Sequence, residues 1–147
     1  PFGTGVEHDS ALTLEFTSVS LSVDQAAGTA HFRGSVVVGQ GELRLAADEV
    51  EVFYADGDAP DGGAVERIRA SGAVTVTNGA EAAEAEEAVY RVTEGMIEMT
   101  GAVVLTQGRN AISGDRLTID LDGSVANMEG RVQTIVVPGE PGPGAGR

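Results

Sequence analysis

The sequence predicts an all-β protein, a repetitive, twisted β-jelly-roll or β-roll that is open at both ends. Three observations predict it. First, the stretch GSVVVGQGELRLAADEVEVFY at residues 34–54 alternates apolar and other residues around glycines. Second, the same grammar returns as GAVTVTNGAEAAEAEEAVYRV from residue 72 and as GAVVLTQGRNAISGDRLTIDL from residue 101. Third, the period inside every copy is two, the signature of strands with one buried and one solvated face.

The elements follow in order. Residues 1–11 read as a flexible N-terminal segment. A partial copy of the repeat then begins at Leu12-Leu14 and Val19-Leu21-Val23. In the first full copy Ala30 and Phe32 precede Gly34, and Val36, Val38, Leu45, Val50, Val52 and Tyr54 continue the alternation. The second copy places Ile68 and Ala70 before Gly72, then Val74, Val76, Ala83, Ala88, Tyr90 and Val92. The third places Ile97 and Met99 before Gly101, then Val103, Leu105, Ile112, Leu117, Ile119 and Leu121. Gly130-Arg131-Val132 opens a further copy. Each glycine is read as ending a strand of five to seven residues, because positive φ is cheap for glycine and its near substitutes. Gln40-Gly41, Asn78-Gly79 and Gln107-Gly108 mark turns.

Copies two and three lie 29 residues apart, and the first spacing is nine residues longer. The extra length falls in DGDAPDGGA (Asp56–Ala64), an exposed loop by composition. AEAAEAEEA (Ala80–Ala88) has high helix propensity, but the repeat register assigns it to strand. Residues 12–138 thus form one domain, and the Gly/Pro-rich residues 139–147 a disordered tail.

A repeat of this length implies stacking, since no copy can bury its apolar face alone. The expected product is an elongated shell with a continuous apolar trough. The residues expected to line it are Phe32, Val36, Val38, Leu45, Val50, Val52, Ile68, Val74, Val76, Tyr90, Ile97, Met99, Val103, Leu105, Leu117 and Ile119. The small residues Ala30, Ala70, Ala83 and Ala88 would leave room among them. The shell ends in strand edges, templates for adding another strand or another copy. Leu12, Leu14, Val19 and Leu21 mark one edge, and Val132, Ile135 and Val137 the other.

Composition removes several function classes. The 147 residues carry a net charge of −14, with nine arginines, no lysine and 23 acidic residues. That balance opposes nucleic acid and anionic membrane surfaces, which attract clustered cationic charge. There is no cysteine, hence neither disulfide nor thiolate chemistry. No apolar run approaches the roughly 20 residues of a membrane span. The opening PFGTGVEHD has no signal-peptide pattern, so an export signal is expected to have been removed or to lie outside these residues.

No catalytic constellation or cofactor site is legible. His8 and His31 stand alone, with His31 at an outward strand position. No metal-ligand spacing occurs, and Asp56, Asp58 and Asp61 match no calcium loop. GTG at 3–5 and GQG at 39–41 lack the lysine of a phosphate-binding loop. Asp48, Glu86 and Asp115 recur once per copy and read as turn or cap residues whose carboxylates accept backbone N–H bonds. A carbohydrate enzyme would want paired carboxylates and exposed aromatics, yet the six Phe and Tyr sit mostly at inward positions.

The run FRGSVVVGQGELRLAADEVEVFY, followed by RIRASGAVTVT, AEEAVY, MTGAVVLTQGRNAISGDRLTIDL and the terminal RVQTIVVP, resembles the LptA/OstA family over about Leu12 to Pro138. The resemblance implies a periplasmic, non-enzymatic carrier of the Gram-negative lipopolysaccharide transport system. It implies a β-jelly-roll whose interior takes lipid acyl chains and which stacks head to tail into a bridge between the two membranes. Partners of the same fold would lie at the inner membrane (an anchored subunit) and at the outer membrane. This sequence departs from the family pattern at Ser35, where asparagine is frequent, in its loop insertion, and in its acidity. The acidity leaves the headgroup in solvent or bridged by divalent cations. The competing readings are an OstA-like domain of the anchored subunit or of the outer-membrane translocon, and a structural β-solenoid with no lipid cargo.

Overall fold

A computed structural model describes residues 13–55, 64–79, 81–123 and 125–138. The expected flexible segment, Leu12, the Asp56–Asp61 acids and the Gly/Pro tail lie outside these residues. The described chain contains ten strands and no helix: β1 (Glu15–Thr17), β2 (Ser20–Asp24), β3 (Thr29–Gln40), β4 (Leu43–Tyr54), β5 (Val65–Asn78), β6 (Glu81–Arg91), β7 (Met96–Gln107), β8 (Asn110–Asp120), β9 (Val125–Glu129) and β10 (Gln133–Ile135). They form one antiparallel sheet that does not close. Residues 81–88 of AEAAEAEEA adopt β6 as the register requires, because Ala83, Ala85 and Ala88 each fill an inward position between β5 and β7.

The strands are longer than expected. β3 to β8 run 11–14 residues, because the repeat glycines are internal corners rather than strand ends. At each corner two consecutive residues take positive φ: Gly34-Ser35, Gly72-Ala73, Gly101-Ala102 and Gly130-Arg131. Two such residues form a bulge that bends the strand while hydrogen bonding resumes beyond it, and the register of the ladder shifts at each one. The side chain opposite explains why the first residue is glycine. A Cβ at Gly72 would fall 2.6 Å from Oδ2 of Asp48, and one at Gly101 would fall 2.5 Å from Oε1 of Glu86.

The acids Asp48, Glu86 and Asp115 therefore cover the corner glycines of the neighbouring strand. Among the described residues none of the three accepts a hydrogen bond from a backbone amide, contrary to the capping expectation. Asp115 instead receives both Nε and Nη2 of Arg131, at 3.1 and 2.7 Å.

The line of corners divides the sheet into two halves. β2, β9 and one arm of each long strand form the first half; β1, β10 and the other arms form the second. The same sheet supplies both walls. Its inner face is buried although no helix or second sheet covers it among the described residues, so the halves lie against each other. Among the described residues an aromatic stack and a buried hydrogen bond join them. Phe16 of β1 stacks on Phe32 with ring centroids 4.7 Å apart, and the Tyr90 hydroxyl donates to Oε1 of Gln40 at 2.6 Å.

Every strand pairs antiparallel with a chain neighbour, if β1–β2 and β9–β10 each count as one bent strand. A β-solenoid would instead stack equivalent strands of successive repeats in parallel. The 29-residue unit is a hairpin of two bent strands. Two-residue loops close three hairpins, opening on Gly41, Gly79 and Gly108, each with the positive φ that a tight hairpin needs at its first loop position. The loop insertion is tied at its base, where the Ala55 amide donates to the Ala64 carbonyl at 3.0 Å.

Candidate functional site

Alternation along β3 to β8 sends one set of side chains inward. At the corners β3, β5 and β7 keep their parity, whereas β4, β6 and β8 shift by one residue, from Ala47 to Val50, Ala85 to Ala88 and Gly114 to Leu117, so the same face stays inside. Every residue expected to line a trough lies on this inner face, from Val36 at 0 % exposure to Phe32 at 8 %. Along the first-half row Ala30-Val52-Ile68-Tyr90-Ile97-Ile119 and the second-half row Val38-Leu45-Val76-Ala83-Leu105-Ile112 the surface is continuous across six strands. Ala30, Ala70, Ala83 and Ala88 are equally buried within it. At its two ends the face is finished by partly buried side chains, Leu14 and Phe16 at one and Ile112, Ala126 and Met128 at the other.

Sequence reasoning missed part of this face. Leu43, Ala47 and Ala85 belong to it, as do Val92 and Leu121, which the repeat places on the alternation but not among the trough residues. So do two polar residues read only as turn markers, Gln40 at 1 % and Asn78 at 5 % exposure. The signal was present: both stand six residues beyond a corner glycine, on the same parity as Val38 and Val76.

Among the described residues the sheet leaves two free edges. One runs along β1 and β2 and exposes Leu21 and Val23, with Val19 at the corner between the two strands. The Val19 amide donates to the carbonyls of Arg33 and Gly34, and its side chain covers Gly34 as the acids cover the later glycines. The other edge runs along β9 and β10 and exposes Val125, Val132, Ile135 and Val136. Two residues expected on the edges sit elsewhere. Leu14 precedes β1 and packs inward on the core. Val137 follows β10 and is half-buried, because its amide donates to Oδ1 of Asn110 at 2.9 Å.

The outer face carries the charge. Arg116 bridges Glu98 at 3.2 Å and Glu129 at 2.7 Å across β7, β8 and β9. His31 faces outward beside Glu49, 3.6 Å away, and Arg67 covers the Phe53 ring at 4.1 Å. Arg131 holds the Asp115 carboxyl below its usual value, chiefly by hydrogen bonding. No group of His, Asp and Glu among the described residues is arranged to hold a metal ion.

A single antiparallel sheet bent on itself, largely apolar inside, charged outside and unpaired at both ends among the described residues, defines a class of open β-roll built from hairpin repeats. Residues 15–125 match the family described as "LptA/(LptD N-terminal domain) LPS transport protein", and the chain belongs to that family. An uncharacterized protein of Rhizobium meliloti (strain 1021) is 32 % identical over 143 residues, covering 92 % of this chain and 76 % of that one. Among solved structures, LptH of Pseudomonas aeruginosa, described as the LptA-homologous periplasmic component of the conserved lipopolysaccharide transport device, superposes with a TM-score of 0.77. The superposition covers 89 % of this chain and 99 % of that one at 18 % identity, a likeness of fold.

Proposed function

We propose that this chain is a non-enzymatic periplasmic carrier that takes lipopolysaccharide acyl chains between the halves of its sheet. It stacks end to end with further copies, and with same-fold transport components at the inner and outer membranes. The observation that carries this reading is the continuity of the apolar inner face from one unpaired edge to the other. Each methylene transferred from water is worth about 0.8 kcal/mol, so a chain of about twelve carbons gains on the order of 10 kcal/mol. Aliphatic walls supply that without specific chemistry. Entry requires the halves to part, and the Gly-X corners are the hinges. No phosphate-binding loop occurs in the sequence, so in this reading the driving energy comes from outside the chain.

Photocrosslinking to purified lipopolysaccharide tests the reading. A photoreactive residue replaces Val36, Val76 or Leu105 on the inner face, with Thr75 and Thr106 on the outer face as controls. Adducts at the inner positions alone support a carrier. No adduct at any position in a folded protein sinks it and favours a structural roll that works through its edges. The family description also covers the N-terminal domain of an outer-membrane partner. That role uses the same inner face, and a chain that does not self-associate would favour it.

A further inference from the structure

The inner face is not apolar throughout. Where the second-half arms of the strands end, one row crosses the sheet: Gln40, Leu43, Asn78, Glu81, Gln107 and Asn110, each opposite the next in register. All six lie on the inward parity, two residues beyond Val38, Leu45, Val76, Ala83, Leu105 and Ile112. Five of the six are polar, so the rim changes chemistry abruptly from the aliphatic rows beneath it.

Most of this row is satisfied internally. Gln40 accepts from Tyr90. Gln107 donates to Glu81 at 2.8 Å, and Asn110 accepts the Val137 amide. Asn78 differs. It is 5 % exposed, and its Nδ2 has no hydrogen-bond partner among the described residues. A buried amide donor without an acceptor is costly, and native structures retain few of them.

We propose that this row is a subsite for the carbonyl groups that join acyl chains to a polar head, esters or amides, with Asn78 Nδ2 as the donor to such a carbonyl. The proposal rests on the carrier reading and adds the ligand's orientation to it. An acyl chain lying along Val76 and its neighbours presents methylenes everywhere but at its head end, where the first polar atom is a carbonyl oxygen. That oxygen is a pure acceptor and Asn78 Nδ2 is a donor lacking one. The Glu81 carboxylate beside it is itself an acceptor and repels a carbonyl, which confines the contact to Asn78. The chain then points its methyl end toward the corners and its head toward the rim.

The test compares two monomeric lipids of equal chain length, dioctanoyl-glycerophosphocholine and its dioctyl ether, titrated calorimetrically into the full chain. The ether lacks only the carbonyls. Wild type is expected to prefer the ester by roughly three- to tenfold, the scale of one neutral buried hydrogen bond. Asn78→Leu is expected to fold, since it removes an unsatisfied donor, and to bind both lipids alike. Asn78→Asp, which exchanges donor for acceptor, is expected to bind the ester no better than the ether. Equal binding of the two lipids by wild type, or an ester preference that survives in both variants, overturns the Asn78 assignment while the carrier reading stands. Failure of wild type to bind either lipid overturns the carbonyl subsite, while the lipopolysaccharide crosslinking above decides the carrier reading separately.

Discussion

The Tyr90 hydroxyl donates a 2.6 Å hydrogen bond to Oε1 of Gln40, fifty residues away in the chain and on the opposite half of the sheet. Both side chains are 1 % exposed. In so apolar a setting this bond fixes how the two halves register against each other, a matter on which aliphatic packing alone is permissive.

Removing the hydroxyl should therefore cost more than its size suggests. Tyr90→Phe is expected to lower unfolding stability by about 1–2 kcal/mol, because it strands a buried acceptor. Urea denaturation measures it. Adding Gln40→Leu should recover part of the loss, and a double-mutant cycle with purely additive effects would show that the bond is energetically idle.

The corners predict an asymmetry between adjacent positions. Gly101 has φ +90°, and a Cβ there would meet Glu86 Oε1 at 2.5 Å, whereas its neighbour Ala102 already sits at φ 49°. Gly101→Ala should destabilise by about 1–3 kcal/mol or more. Ala102→Gly should stay within about 1 kcal/mol of wild type. Thermal unfolding of the pair checks the contrast.

Acid should release the last corner. Arg131 lowers the Asp115 pKa in the folded chain, so this pair contributes stability above the ordinary carboxylate value and loses it as pH falls through the depressed one. The side chains are solvent-exposed, so the effect should weaken in salt. An NMR titration should place Asp115 below its usual range, and Arg131→Gln should return it there. An Asp115 that titrates identically in both proteins would contradict the ion pair.

The edges predict a separation between folding and association. Leu21 is 53 % and Ile135 55 % exposed, so Leu21→Lys or Ile135→Lys should leave the melting temperature within a few degrees of wild type. In the stacking reading either change should lower the average mass seen by sedimentation, since a charge on a strand edge opposes pairing. Unchanged assembly in both variants would remove these edges from the contact.

Much of the fold was legible because alternation reports which way each side chain points. It placed Val36, Val76, Leu105 and Ile119 on one face, and it carried AEAAEAEEA against its helical propensity. Alternation does not say where a face folds over, so neither the Tyr90–Gln40 contact nor the Phe16–Phe32 stack could be read from it. The glycines were misread as stops because a strand end and a bulge both call for positive φ. What distinguishes them here is the second residue: Ser35, Ala73 and Ala102 share the unusual conformation, which only the backbone reveals. The polar rim was hidden by a stronger local signal, since Gln-Gly and Asn-Gly announce a turn before parity is consulted.

Pairing between chain neighbours alone has a consequence for how such a molecule comes into being. A strand here never waits for a partner from the far end of the chain, so as the polypeptide emerges from the N-terminus each hairpin can zip onto the one before it, with short loops to close and little entropy lost at each step. The same arrangement makes length adjustable over evolutionary time. Duplicating or deleting one 29-residue unit leaves every other pairing as it was, and the roll is simply longer or shorter by one turn of the same pattern.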